Sequence, residues 1–273
     1  SLAALTAELR RVAPELCRGA PTLVDSPRAP AAAGRAIDAA LRRVVARLAA
    51  RSAPASGHDA LRVSMFPTPA TDYFAACIAA RDCKPHLRAL GREMLAHLAA
   101  QGGRGRVAAP SRGGALFTRF MLVGFAAHRA LESAGVVAFE SYPDLALRIW
   151  KPPGAALPPK TKGRAVALAA RRRIVARLAR RLALERFTAP RTLDEADAAV
   201  LALSAALARE RGAGALLIEH RAEGRFLLAL DAQYAARIDG FRCDRRALDK
   251  DSNNKVQQGA RRASGARRHP ALP

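Results

Sequence analysis

Three carboxylates stand where solvation alone does not account for them: Asp25 and Glu140, each closing a short apolar run, and Asp197, inside a helical pattern. The runs Thr22-Leu23-Val24 and Val136-Val137-Ala138-Phe139 read as buried strands, so each acid arrives at a strand's C-terminal tip. Asp197 is the more informative. From Leu193 to about Arg211 the apolar stripe is Leu193, Ala196, Val200, Leu203 and Leu207, which turns Asp197 towards the packed face or its border. An unpaired carboxylate there costs on the order of several kcal/mol, which a metal ion or a buried partner removes. Asp194 lies one turn earlier on the same side, where the helix dipole already favours an acid. Oxygen ligands converging from two strand tips and one helix suit a hard cation, Mg²⁺ or Mn²⁺. Two such ions about 4 Å apart activate a water and stabilise the leaving oxygen in phosphodiester hydrolysis. Against this stand two plain readings: Asp25 as the turn-initiating residue before Ser26-Pro27, and Glu140 as an exposed strand-end acid.

The elements that must hold these acids are mostly helical. An amphipathic stretch opens the chain in Leu2, Leu5, Leu9 and Val12, and a helix is expected over 37–50, with Ile37, Leu41, Val44, Val45 and Leu48 on one face. Further helices are expected near 72–80, 86–100 and 116–133, the last with Phe117, Phe120, Met121 and Phe125 in the core. Residues 52–58 and 102–114 read as loops, and Met65-Phe66-Pro67-Thr68-Pro69 as extended. A proline-rich connector, Pro152 to Pro159, leads to a basic helix near 161–186. Thr192 and Glu195 form a capping box that starts the helix carrying Asp197. Leu216–Glu219 and Phe226–Leu230 read as a terminal hairpin.

The chain has 273 residues, 65 of them alanine and only 5% aromatic, so the half that is hydrophobic overstates the burial available. Lys and Arg total 46 against 23 Asp and Glu, a formal charge of +23 carried almost wholly by arginine. Such a field attracts a polyanion, and nucleic acid is the expected partner, with Lys162, Arg164, Arg171, Arg172 and Arg173 as its contacts. Strong GC bias in codons produces the same composition without selection for binding. No apolar run reaches the roughly 20 residues of a membrane span. The four cysteines, Cys17, Cys77, Cys83 and Cys243, lack paired CxxC spacing, and the expected compartment is the cytoplasm. Ser26, His58 and Asp59 suggest a triad, but no G-x-S-x-G elbow accompanies them.

The order of short motifs resembles the domain-of-unknown-function family 429, regarded as predicted nucleases with an RNase H-like fold. These are Val24-Asp25-Ser26-Pro27, Arg35 with Asp38, Phe66-Pro67-Thr68-Pro69, Glu140-Ser141-Tyr142-Pro143, Lys162-Gly163-Arg164, and Asp194 with Asp197-Ala198, over roughly residues 10–230. The resemblance implies an α/β fold: an RNase H-like domain over 1–235 with a helical insertion at about 34–133. The stretch 236–273 has no counterpart in the family and, basic and increasingly polar without periodicity, reads as a disordered tail. It implies a two-metal nuclease with Asp25, Glu140, Asp194 and Asp197 as ligands, and Asp25, Glu140 and Asp197 as the catalytic acids. The family opens with a strand whose Gly-Asp pair supplies the leading ligand, and nothing before Leu23 serves as it. This form is therefore expected to lack the opening strands, to leave a sheet edge unpaired and to be inactive alone. The rival expectations are a non-catalytic nucleic-acid-binding protein that kept the fold, and an interaction protein whose arginines reflect composition.

Overall fold

The structure is a computed structural model that describes residues 2–12, 14, 22–26, 28, 35–50, 71–99, 112–152, 154–210, 214–221, 223–231 and 234. The chain is mixed α/β. In order the elements are α1 (Leu2–Val12), β1 (Thr22–Val24), α2 (Ala36–Ala50), α3 (Thr71–Ala79), α4 (Pro85–Ala99), α5 (Arg112–Ser133), β2 (Ala138–Glu140), α6 (Pro143–Trp150), a 3₁₀ turn (Lys160–Lys162), α7 (Arg164–Arg181), α8 (Leu193–Glu210), β3 (Ala215–His220) and β4 (Gly224–Ala229).

The strands form one sheet in the order β1-β2-β4-β3. β1 runs parallel to β2 with Thr22, Leu23 and Val24 opposite Ala138, Phe139 and Glu140, and β2 runs parallel to β4 through Glu140 and Phe226. β3 returns antiparallel to β4. Parallel neighbours need long crossovers. The first holds α2 to α5 and the second α6 to α8, and both leave the tips of β1 and β2 at the same end of the sheet. The main apolar core joins α2, α6, α7 and α8 to β3 and β4, with Trp150 donating Nε1–H to the Ala229 carbonyl at 3.1 Å. A second cluster ties α3, α4 and α5 through Phe74, Ile78, Met94, Met121 and Phe125. Leu131 of α5 with Val136 and Ala138, and Leu9 and Val24 packed against them, joins that insertion to the sheet.

The structure departs from the sequence expectations at several elements. β2 is shorter and later than the apolar run, because Val136 and Val137 are spent on the turn after α5 and the approach to the sheet. α6 was not expected: Pro143 reads as the exit of a strand, yet at the first helical position its missing N–H is no loss, and Arg148 bonds Asp144 one turn away at 2.8 Å. The basic helix is trimmed to 164–181. Phe120 is 58% exposed, not core, while Met121 and Phe125 are buried. The expected loop 102–114 gives its last three residues to α5, and its remainder, the loop at 52–58, the Phe66 motif, His58, Asp59, Cys17, Cys243 and the tail over 236–273 lie outside the described residues. Among the described residues no helix is long and apolar enough to cross a membrane.

Candidate functional site

Register separates the two strand-tip acids. Glu140 is level with Val24, and Asp25 follows one residue later, so alternation across the sheet sends their side chains to opposite faces. Glu140 meets the start of α2, whereas Asp25 feels α8.

On the α8 side, Asp25, Asp194 and Asp197 share the neighbourhood of Lys160. The Lys160 ammonium bonds Asp197 directly and stands 3.9 Å from Asp194. Asp197 is buried, as its place on the helical stripe requires, and its second oxygen accepts from Arg171 Nε at 3.3 Å. Burial, then the charges of Asp197 and Asp194 against the partial relief of Lys160, lifts the Asp25 carboxyl from 3.8 to about 6. Asp25, like Asp194, keeps an exposed side towards solvent, so a solute can reach the carboxyl that is short of positive charge. Tyr142 closes the neighbourhood: burial, then Asp144 and Asp25, pushes its phenol up to about 12, which keeps it a hydroxyl donor at any working pH. Among the described residues no three His, Cys, Asp or Glu side chains are arranged as a metal-ligand group.

Glu140 does not join these acids, which corrects its expected place in the ligand set. Its carboxylate takes both arms of the Arg35 guanidinium, one at 2.8 Å, and Arg35 also bonds Asp38 at 3.1 Å. Burial raises the Glu140 carboxyl above the ordinary range despite the guanidinium, since Asp38 competes for the same charge. Burial works against the Arg35 charge, but Glu140, Asp38 and Glu223 outweigh it and hold the guanidinium protonated. Glu223, from the β3–β4 turn, accepts the backbone N–H of Ala36 at 2.7 Å and of Ile37 at 2.9 Å, capping α2 from across the molecule.

The turn that presents Asp25 is seated on α5. His128 donates from Nε2 to the Ser26 carbonyl at 3.0 Å, and burial holds its imidazole neutral. One turn earlier Gly124 leaves room for Ser26: a Cβ there would fall 1.7 Å from Ser26 Oγ. The insertion therefore fixes the residue beside Asp25 from two sides.

Of the expected basic contacts, Arg164, Arg172 and Arg173 are exposed along α7. Lys162 lies in the 3₁₀ turn before it. Arg171 is a correction. It is 1% exposed, spending its donors on Asp197 and on the Pro158 and Ala167 carbonyls, and its packing leaves no face for a nucleic-acid strand. Tyr142, Lys160, Glu223, Gly124 and His128 escaped sequence reasoning because each acts on a residue far along the chain. No family model, no curated protein and no solved structure matches this chain.

Proposed function

We propose that the chain is a divalent-cation-dependent hydrolase of nucleic-acid phosphodiester bonds, built on an RNase H-like core of the family 429 type. The gathering of Asp25, Asp194 and Asp197 around Lys160 carries the reading. Mg²⁺ is commonly held by one or two carboxylates plus substrate phosphates, so Asp25 and Asp197 fit that requirement with Asp194 at the rim. A bound ion supplies an activated water and neutralises charge on the phosphate. Arg171 holds Asp197 in place, and Lys160, on a half-exposed side chain, is free to trade its carboxylate for a phosphate oxygen. Tyr142 offers a hydroxyl that stays protonated. Glu140 is left out of the ligand set because it pairs with Arg35 beside Asp38, apart from the acids around Lys160.

One observation favours a second reading. Lys160 on Asp197 and Arg35 on Glu140 already give the acids cations of their own, which suits a non-catalytic nucleic-acid-binding protein. A single experiment divides the two: Mg²⁺ and Mn²⁺ titration with cleavage of labelled single- and double-stranded oligonucleotides, for the wild type, Asp25→Asn and Asp197→Asn. The hydrolase reading expects cation-dependent cleavage that falls at least about 100-fold in both variants, assayed at a temperature where melting curves show each variant folded. Binding without cleavage or cation response selects the second reading, and cleavage unchanged in both variants excludes this site.

A further inference from the structure

The β3–β4 hairpin and the end of α5 enclose an open pocket of about 610 Å³ lined by Arg28, Arg221 and Arg225 together with Glu132, Glu219 and His220. That volume lies in the range of small-molecule sites, roughly 300–1,000 Å³. Its arginines are held in three different ways. Arg28 donates Nε–H to Glu132 at 2.5 Å, and its stem crosses Gly224 so closely that a Cβ there would lie 2.4 Å from Arg28 Cδ. Gly224 sits at φ +103°, where only glycine is unstrained, so the turn and the wall are built together. Arg225 stacks its guanidinium 4.8 Å over the Phe139 ring, which fixes the plane of the group. Arg221 is exposed on the hairpin turn and makes no hydrogen bond or ion pair among the described residues. Glu132 is committed to Arg28, which leaves Glu219 facing two guanidiniums. Burial also pushes Arg225 below the ordinary arginine range against the pull of Glu219, a cost that an incoming anion relieves.

We propose that this pocket binds a phosphoryl group through Arg221 and Arg225, with Arg28 as its fixed basic wall, whether the group belongs to a small phosphorylated molecule or to a polynucleotide backbone. Guanidinium forks match phosphate oxygens in pairs, and a stacked, half-buried fork loses little freedom on binding. The site is independent of the carboxylates around Lys160.

The test titrates the full chain with inorganic phosphate by calorimetry and NMR at low ionic strength. Arg225→Met and Arg221→Ser should each weaken binding about tenfold, equivalent to one lost charge-assisted contact. Arg221 lies on an exposed turn, so its variant keeps the fold, which melting curves verify. Arg43→Ser on α2 and Arg92→Ser on α4 change the charge equally and should leave the affinity unchanged. Absence of phosphate binding by the wild type, pocket variants that bind like the wild type, or equal losses in the two control variants would each overturn the proposal. Displacement of phosphate by a nucleoside monophosphate but not by an unphosphorylated-end oligonucleotide assigns a small ligand, and the reverse assigns a strand backbone. Either displacement supports the pocket.

Discussion

Asp25 is the residue whose chemistry is most altered by its surroundings. Its carboxyl titrates near 6 in the folded chain and near 3.8 when free of it, so the folded state binds this proton more tightly. The resulting stability is fully present below about pH 3.8 and is lost as pH rises through about 6. At neutral pH the ionised Asp25 therefore works against the fold. Asp25→Asn should melt above the wild type at pH 7.5 and close to it at pH 3.5, and Mg²⁺ should narrow the gap at pH 7.5 by stabilising only the wild type. Thermal melts at both pH values, with and without the cation, measure this. A variant that melts below the wild type at pH 7.5 contradicts the assignment. Arg171 and Lys160 pair with its neighbour Asp197, and Lys160 relieves Asp25 itself only in part.

At the level of elements, the first turn of α2 is capped from the β3–β4 turn. Glu223 accepts two N–H groups of its first turn and adds a third acid around Arg35, at 3.9 Å. Deleting that carboxylate leaves one buried and one part-buried donor unsatisfied and removes one counter-charge from a buried guanidinium. Glu223→Ala should cost about 2–3 kcal/mol in urea unfolding at unchanged m-value, and Glu223→Gln, which can still accept one of the bonds, should cost less. The same logic explains why the insertion matters to the site. Its helices enter through Arg35 and leave through His128 and Gly124, so both strand tips are pinned by residues of α2 and α5 or of their approach.

For the whole molecule the dominant quantity is a charge of +23. The exposed arginines of α7 carry part of it on one helix, while Arg171 on the same helix faces inward. If a polynucleotide lies along α7, Arg164→Gln with Arg173→Gln should lower the slope of log affinity against log salt by about two, at nearly unchanged stability. Arg171→Gln should instead destabilise the fold by about 3–5 kcal/mol, because it strips a buried partner from Asp197. Fluorescence anisotropy over a salt series, with melts of each variant, separates these effects. An unchanged slope in the double variant would place the polyanion elsewhere.

The sequence by itself determined what depends on neighbours along the chain. The helical stripes of α2, α5 and α8, the Thr192–Glu195 cap, whose Glu195 N–H bonds Thr192 Oγ1 at 3.1 Å, and the β3–β4 hairpin are periodic or local, and each was legible before any coordinates. The burial of Asp197 was legible for the same reason: helical spacing alone turns it inward. Which acids meet was not. Asp25 and Glu140 look equivalent as strand-tip residues, and only the one-residue offset in the β1–β2 register sends one to α8 and the other to Arg35. Arg171 looks like its neighbours Arg172 and Arg173, and only the packing of α7 on α8 buries it. Local patterns follow from backbone geometry within a few residues, whereas ion-pair partners 26 to 188 residues apart are selected by the topology that brings them within a few ångströms.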